Sequence, residues 1–357
     1  SPGNLKRSRL SSTAPPIEAE PAPLVGRDME LEALRNAYAA SSPGAAVALS
    51  IAGDSGIGKT ALARSFLREL QHPGHAVLLT GRCYEHENVP YKAVDPVIDE
   101  LSRYLRRLRP EHAAALLPRD AFALAKLFPV LTRVRAFADT PVRNVPDPRE
   151  LQRMAFAALC ELLGRIRDRS PVVVYIDDLQ WTDADSAKLL RHCLVSREVV
   201  PMLFVFSYRS EDAHNPLLTS VISAIRENPA LDYRALVVHP LAQVDAQSLA
   251  ERWLPRSAHN DNDSSSSAIA TESRGNPFFA MELARFAQEI GAHSRGAPSL
   301  AALLETRITP LPTAARHLLQ ALALAGRPMA TDVLLQATGA DHTALDALRD
   351  AHLICGS

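Results

Sequence analysis

The sequence predicts an α/β protein built on a buried parallel sheet. Three observations lead there: strand-length runs that are apolar on both faces, helical stretches alternating with them, and a glycine-rich loop set between the first run and a helix. Runs apolar on both faces suit strands covered by helices above and below, as in a parallel sheet. At 357 residues the chain has room for two or three domains.

Residues 1–22 combine Ser, Pro and small residues without periodicity, the composition of a flexible, unpacked linker, and further sequence is expected before it. From Leu24 the pattern turns regular, and Met29, Leu31, Leu34 and Tyr38 recur at helical spacing after a turn at Gly26. The run 46–52 predicts a first strand ending at Gly53, and 61–67 a helix of good formers. A second strand is expected over 75–80. Residues 93–135 read as an inserted helical region, with Leu101, Tyr104, Leu105 and Leu108, then Leu116, Leu124, Leu127 and Leu131. Strands follow at 172–176, 202–206 and 236–238, the first of them leading to a helix that begins near Asp183. After Pro240 the strands stop. A helix around 247–253 gives way to Asn260-Asp261-Asn262-Asp263 and four serines, expected as a loop too polar to pack. Helices are expected at 268–274, 277–290, 298–308, 312–325 and 330–338. The division that results is a linker (1–22), a core (23–239), a small helical domain (240–295) and a third unit (296–357). The third is expected to be cut short, because the chain ends at Ile354-Cys355-Gly356-Ser357 where a strand would start.

Composition narrows the function. Lys+Arg (39) and Asp+Glu (40) leave a formal charge of -1, so no global field recruits nucleic acid or an anionic membrane. The apolar runs fall far short of the ~18 residues of a membrane span, and no apolar leader opens the chain, so the cytoplasm is the expected compartment. Four cysteines without C-x-x-C spacing read as small buried residues, not as a disulfide framework or zinc site, and Cys83 with His86 has no second ligand pair. Only five of the 39 basic residues are lysines, so a lysine inside a glycine loop is not filler.

That loop is Gly53-Asp54-Ser55-Gly56-Ile57-Gly58-Lys59-Thr60, followed by Ala61, and it fits G-x-x-x-x-G-K-[ST] between a strand and a helix. Glycines at 53, 56 and 58 let the backbone wrap closely around an anion, with successive N–H groups at a helix N-terminus aimed at phosphate oxygens. Lys59 would reach the β and γ phosphates, and Thr60 would place its hydroxyl on Mg²⁺. The bland alternative is a glycine turn with no ligand.

The strand 172–176 ends in Asp177-Asp178, and a carboxylate at the carboxyl edge of a parallel sheet is what a Mg²⁺ partner requires. Asp177 is the choice for the metal, and Asp178 for polarising the attacking water. Alternatively the two begin a turn and cap the helix near Asp183. The strand 203–206 runs on to Arg209 at the same edge, where it could sense the γ phosphate or simply pair with Glu211 or Asp212. Gly275-Asn276-Pro277 has a structural account: glycine closes one helix, Asn caps the next and Pro takes its first position. Trp181 and Trp253 read as packing residues.

These residues resemble the STAND class of P-loop ATPases (signal-transduction ATPases with numerous domains), in particular the bacterial AAA ATPase module. That module occurs in large ATP-binding LuxR-type regulators, in antibiotic regulatory proteins and in multidomain Ser/Thr kinases. Four strings carry the match: Leu24-Val25-Gly26-Arg27-Asp28-Met29-Glu30-Leu31, the glycine loop, Ile176-Asp177-Asp178-Leu179-Gln180-Trp181-Thr182-Asp183, and Arg274-Gly275-Asn276-Pro277-Phe278-Phe279. Residues 81–93 look like the kinase-linked branch. The resemblance implies a P-loop NTPase core, a helical lid domain and a partial winged-helix-like domain. It implies that Val25, Gly26 and Arg27 border the adenine, that Asp177 binds Mg²⁺, that Asp178 assists hydrolysis, that Arg209 is a strand-end sensor, and that Pro277 sits in a lid that reads the nucleotide.

The function expected is an ATP/ADP-binding, slowly hydrolysing switch with Mg²⁺ as cofactor, in a multidomain signalling protein or transcriptional regulator. Its partners are the nucleotide, effector or sensor domains outside this chain, and a nucleotide-dependent homo-oligomer, with no membrane. The alternatives are an ATPase segment regulating a linked Ser/Thr kinase and a small-molecule phosphotransferase. A DNA binder acting through 296–357 is disfavoured: four arginines against five acids leave that region at -1.

Overall fold

The structure, a computed structural model, describes residues 24–354 apart from short stretches at 42–43, 72–75, 86–88, 142, 196–198, 255–260, 291–298, 327–328, 330 and 352. The expected linker, the start of the second strand and Cys355 lie outside the described residues.

Five strands form one sheet, β1 (Ala46–Gly53), β2 (Val77–Arg82), β3 (Val172–Asp177), β4 (Leu203–Arg209) and β5 (Leu231–Val237), in the order β2-β3-β4-β1-β5 with every pair parallel. This is the α/β class expected from the apolar runs. Side chains alternate across the sheet with period two and divide its core in two. Val47, Leu49, Ile51, Val173, Tyr175, Leu203 and Val205 pack on α1 (Asp28–Ser41) and α2 (Lys59–Glu69). Ala48, Val174, Ile176, Phe204 and Phe206 face the other way, onto α3 (Asp95–Arg107) and later helices.

The inserted region holds α3, α4 (Pro110–Ala114), α5 (Ala121–Leu127), a 3₁₀ turn (Pro129–Arg133) and α6 (Arg135–Ala138), with Leu101, Leu105, Leu116, Leu124 and Leu131 buried. Beyond the expected elements come α7 (Pro148–Arg167) and, after α8 (Ala184–Val195), α9 (Pro216–Glu227). Each of these two unread helices opens on a cap followed by proline. The Asp147 carboxylate accepts from the Arg149 amide, and the Asn215 side chain accepts from the amides of Leu217 and Leu218. The fifth strand is longer than the run 236–238 because it is an edge: Asp232 and Arg234 alternate with apolar positions, so only its end looked like a buried strand.

A polar loop is expected over 260–267; residue 260 lies outside the described residues, and from Asp261 the segment is instead the start of a helix, α11 (Asp261–Glu272). The reason is packing: Ser266, Ile269 and Ala270 are fully buried against a core that includes Leu249 and Ala250 of α10 (Gln243–Trp253). Small serines let the two helices lie close, and that contact overrides a modest helix propensity. α12 (Pro277–Ile290) adds Ala280, Leu283 and Ala284 to this core, and α13 (Leu300–Ile308) adds Leu303. A separate small core, built on Leu318, Leu334, Leu345 and Leu348, joins α14 (Thr313–Ala325), α15 (Thr331–Thr338) and α16 (His342–Asp350). Among the described residues no strand follows β5, and no helix is long and apolar enough to cross a membrane.

Candidate functional site

The carboxyl edge of the sheet gathers the chemistry. The register puts Gly53 beside Arg209 and Arg82 beside Asp177, so the tips of four strands meet in one row. The loop after β1 turns through Gly56 (φ 77) and Gly58 (φ 99), left-handed conformations that favour glycine, and enters α2 at Lys59. A Cβ on Gly53 would lie 2.8 Å from the Val238 carbonyl oxygen, so the loop's first position also needs glycine. Lys59 is buried, and its ammonium donates to the carbonyls of Gly53 (2.8 Å) and Asp54 (2.9 Å). Burial lowers its pKa, against the opposing pull of Asp178, Glu211 and Asp177. A desolvated cation held only by neutral carbonyls gains strongly from an anion placed on the loop.

The Thr60 hydroxyl donates to the Asp177 carboxylate, 2.9 Å to Oδ2 and 3.2 Å to Oδ1. Neighbouring oxygens on an octahedral Mg²⁺ with bonds of about 2.1 Å sit about 3 Å apart, so this pair fits the ion. Ser207 of β4, fully buried, donates to Asp177 Oδ1 and fixes the carboxylate from behind. Asp178 takes the left-handed conformation (φ 56), which Asp tolerates, and its amide donates to Ser207 Oγ at 3.2 Å. Its carboxylate is held by Arg82 (Nη2 to Oδ2, 3.0 Å) and by Gln180 (Nε2 to Oδ1, 3.0 Å). Gln180, buried, uses its other end to accept from the Arg209 amide at 3.2 Å, tying the tip of β3 to that of β4. The helix start near Asp183 is capped by Asp183 itself, which accepts from the amides of Asp185 and Ser186, so neither Asp177 nor Asp178 is needed for that task. Arg209 makes no ion pair with Glu211 or Asp212 among the described residues, and its guanidinium lies over the Trp181 ring, 5.8 Å from the centroid.

The helices after the sheet close over the loop. Asn276 Nδ2 donates to the Ser55 carbonyl (3.1 Å), and the Phe278 amide donates to the Gly56 carbonyl (3.3 Å). Pro277 opens α12 next to Gly58. A cavity of about 610 Å³ lies between loop and lid, lined by residues that include Asp54, Ile57, Pro240, Arg274, Asn276 and Phe279. Arg27 is buried, with its guanidinium on the Ile57 carbonyl (3.1 Å) and on Glu30 (3.0 Å), so it braces the loop from below. Val25 packs on the lid core, and Gly26 (φ 62) lies where any Cβ would strike the Asp245 carboxylate.

The structure thus brings Lys59, Thr60, Asp177, Asp178 and Arg209 to one edge, with Pro277 against the loop. It sets Val25 and Gly26 at the lid contact. Reading the sequence missed Arg82, Ser207, Gln180 as a bridge, and Glu211 as a loop contact. Arg82 stands within the range 81–93 and Gln180 inside a string quoted above, but their partners are 96 and 29 residues away, a distance no spacing rule spans. Such a site can hold a polyphosphate on backbone amides and one ammonium, present two hard oxygens to a divalent ion, and set a carboxylate beside the terminal phosphate.

A relative in Rhizobium meliloti (strain 1021), an uncharacterized protein, is 26% identical over 204 residues, covering 54% of this chain and 20% of its own length. Among solved structures, a Walker-type ATPase of Pyrococcus abyssi superposes with a TM-score of 0.50 at 14% identity, covering 94% of this chain and 91% of that one. A signal transduction ATPase with numerous domains and a tetratricopeptide repeat sensor, from Pyrococcus horikoshii, gives 0.41 at 17% identity and covers 96% of this chain and 42% of that one. The chain therefore spans a fifth of its curated relative. The AAA ATPase domain family matches residues 23–205, about half of the chain, over the glycine loop, the acidic strand tip and the start of β4. A match that runs through half of the chain and both acidic and glycine-rich strand ends is sufficient: the chain belongs to the AAA ATPase domain family.

Proposed function

We propose that the chain is an ATP/ADP-driven switch, a module of a larger cytoplasmic signalling or transcription-regulating protein of the STAND type. In this reading residues 23–239 form the core, 240–295 the lid and 296–357 a winged-helix-like unit. The loop residues Gly53 to Ala61 hold the phosphates, Val25 to Arg27 flank the adenine, and Thr60 and Asp177 hold Mg²⁺. When bound, Mg²⁺ neutralises charge on the β and γ phosphates. Asp178 orients the attacking water, Arg209 responds to the terminal phosphate, and Pro277 carries the state to the lid. Hydrolysis resets the switch and is slow. Effector or sensor domains beyond this chain, and self-association in one nucleotide state, supply the output.

One observation carries the reading: Asn276 and Phe278 of the lid are hydrogen-bonded to the carbonyls of Ser55 and Gly56, in the loop that bears Lys59. A ligand that moves those peptides therefore has different contacts with two lid positions, which a switch requires. The test is calorimetric titration with Mg-ATP and Mg-ADP for the wild type and Lys59→Ala, with turnover measured alongside. The expected result is a loss of at least tenfold in Mg-ATP affinity in the variant and turnover well below 1 per second, under the usual range for enzymes. Rapid turnover on an added small molecule would replace the switch by a phosphotransferase.

A further inference from the structure

The phosphate loop already touches an anion of its own. The Ser55 amide donates to Glu211 Oε1 at 3.3 Å, across 156 residues of sequence. Ser55 is the third residue of the eight-residue loop, four positions before Lys59. Glu211 belongs to the 3₁₀ turn Ser210–Asp212, which continues directly from the β4 tip that carries Arg209. The other acids at this edge are engaged: Asp177 by Thr60 and Ser207, Asp178 by Arg82 and Gln180. Glu211 forms no ion pair among the described residues, and it is exposed, so its side chain can swing into solvent. Its charge is felt at the buried ammonium of Lys59, where it counters the effect of burial. In position and charge it does for the loop what one terminal phosphate oxygen would do.

Building on the nucleotide reading above, we propose that Glu211 is a displaceable internal anion that sets the nucleotide preference of the loop, weighing against a third phosphate and favouring ADP. A terminal phosphate and the Glu211 carboxylate cannot share the Ser55 amide without like-charge repulsion. In this proposal the third phosphate comes to the Ser55 amide, whereas a diphosphate stops short of it and leaves Glu211 in place. ATP binding must therefore displace the Glu211 carboxylate, by rotation of its side chain or by movement of the Ser210–Asp212 turn. That turn is linked at one end to Arg209, whose amide rests on Gln180, and at the other to Asn215, whose side chain donates to the Gln180 carbonyl at 3.1 Å. Where the turn itself moves, the displacement reaches both Arg209 and the residue that holds Asp178.

The experiment measures dissociation constants of ATP and ADP, with Mg²⁺ and again in EDTA, for the full chain and for Glu211→Gln, with Lys59→Ala as reference. A full charge about 5 Å from a phosphate near the surface changes affinity by about fivefold or more. Glu211→Gln is expected to tighten ATP by at least that factor and ADP by less than twofold. Glu211→Lys should tighten ATP further. Equal gains for both nucleotides, or no gain for ATP, would overturn the proposal. So would a hundredfold loss of turnover at unchanged affinity, which would make Glu211 a base. If the wild type binds neither nucleotide, or Lys59→Ala binds as the wild type does, the nucleotide reading fails and takes this inference with it.

Discussion

Gln180 is the cheapest place to break the site without touching a phosphate contact. Its side chain is 1% exposed and uses both ends, donating to Asp178 Oδ1 at 3.0 Å and accepting from the Arg209 amide at 3.2 Å. Gln180→Met keeps the length and removes both bonds, leaving a backbone N–H and a carboxylate oxygen short of a partner at about 1–3 kcal/mol each. Because Asp178 retains some exposure and keeps Arg82, the sum should fall at about 2–4 kcal/mol. Gln180→Glu separates the two bonds. It still accepts from Arg209, but sets a second carboxylate against Asp178, so the pair holds one proton more tightly than a lone carboxyl. A folded-state pKa above the unfolded value contributes stability that is present at low pH and disappears as pH rises through it. The deficit of Gln180→Glu relative to wild type should therefore be small near pH 4 and grow toward pH 7, and grow more steeply than that of Gln180→Met. Urea denaturation across that range measures both. A cost below 1 kcal/mol for Gln180→Met, or a pH-independent deficit for Gln180→Glu, would show that the bridge between the strand tips is not a stabilising contact.

Three further outcomes are expected. Asp183 accepts from the amides of Tyr91, Asp185 and Ser186 and from the Ser186 hydroxyl; burial works against its charge, but these bonds outweigh it and hold its carboxyl below the ordinary range. Asp183→Asn should cost about 1–2 kcal/mol near neutral pH, and because the pKa is depressed, that advantage of the wild type should shrink as pH drops below about 4 in acid titrations of stability. Cys160 on α7 and Cys193 on α8 have sulfurs 3.0 Å apart, so the disulfide-forming oxidant diamide should join them with loss of two hydrogens, reversibly with a dithiol, while buried Cys83 stays reduced in peptide mass maps. Asn276→Ala should cost about 1 kcal/mol at the start of α12, where its side chain accepts from the Phe278 amide, and should speed hydrogen exchange at that amide more than in the β-sheet.

Much of the site could be read before folding because its parts are local. The glycine loop needs close backbone approach within eight consecutive residues, and the acidic tip needs an apolar run followed by a carboxylate. Each is a pattern along the chain. The same holds for β1, β3 and β4, whose double-sided burial leaves an unbroken apolar run, while β2, the other edge, is legible because Val77, Leu78 and Leu79 keep its start apolar. The fifth strand was read only at its end, and the polar run at 260–267 was misread, because an edge strand and a serine-rich helix are decided by what packs on them. Helices α7 and α9 carried legible caps, Asp147-Pro148 and Asn215-Pro216, that went unread beside stronger signals.

The sequence by itself determined the class of fold, the loop that grips phosphate, and which strand ends in acid, because glycine conformation and double-sided apolar runs are properties of neighbouring residues. Only the tertiary structure decided how those acids are held: Arg82 and Gln180 on Asp178, Ser207 behind Asp177, the lid's Asn276 on Ser55 and Glu211 on the same residue's amide. Those contacts join segments that meet because parallel strands bring their carboxyl ends to one edge, and strand order within a sheet leaves no periodic mark along the chain.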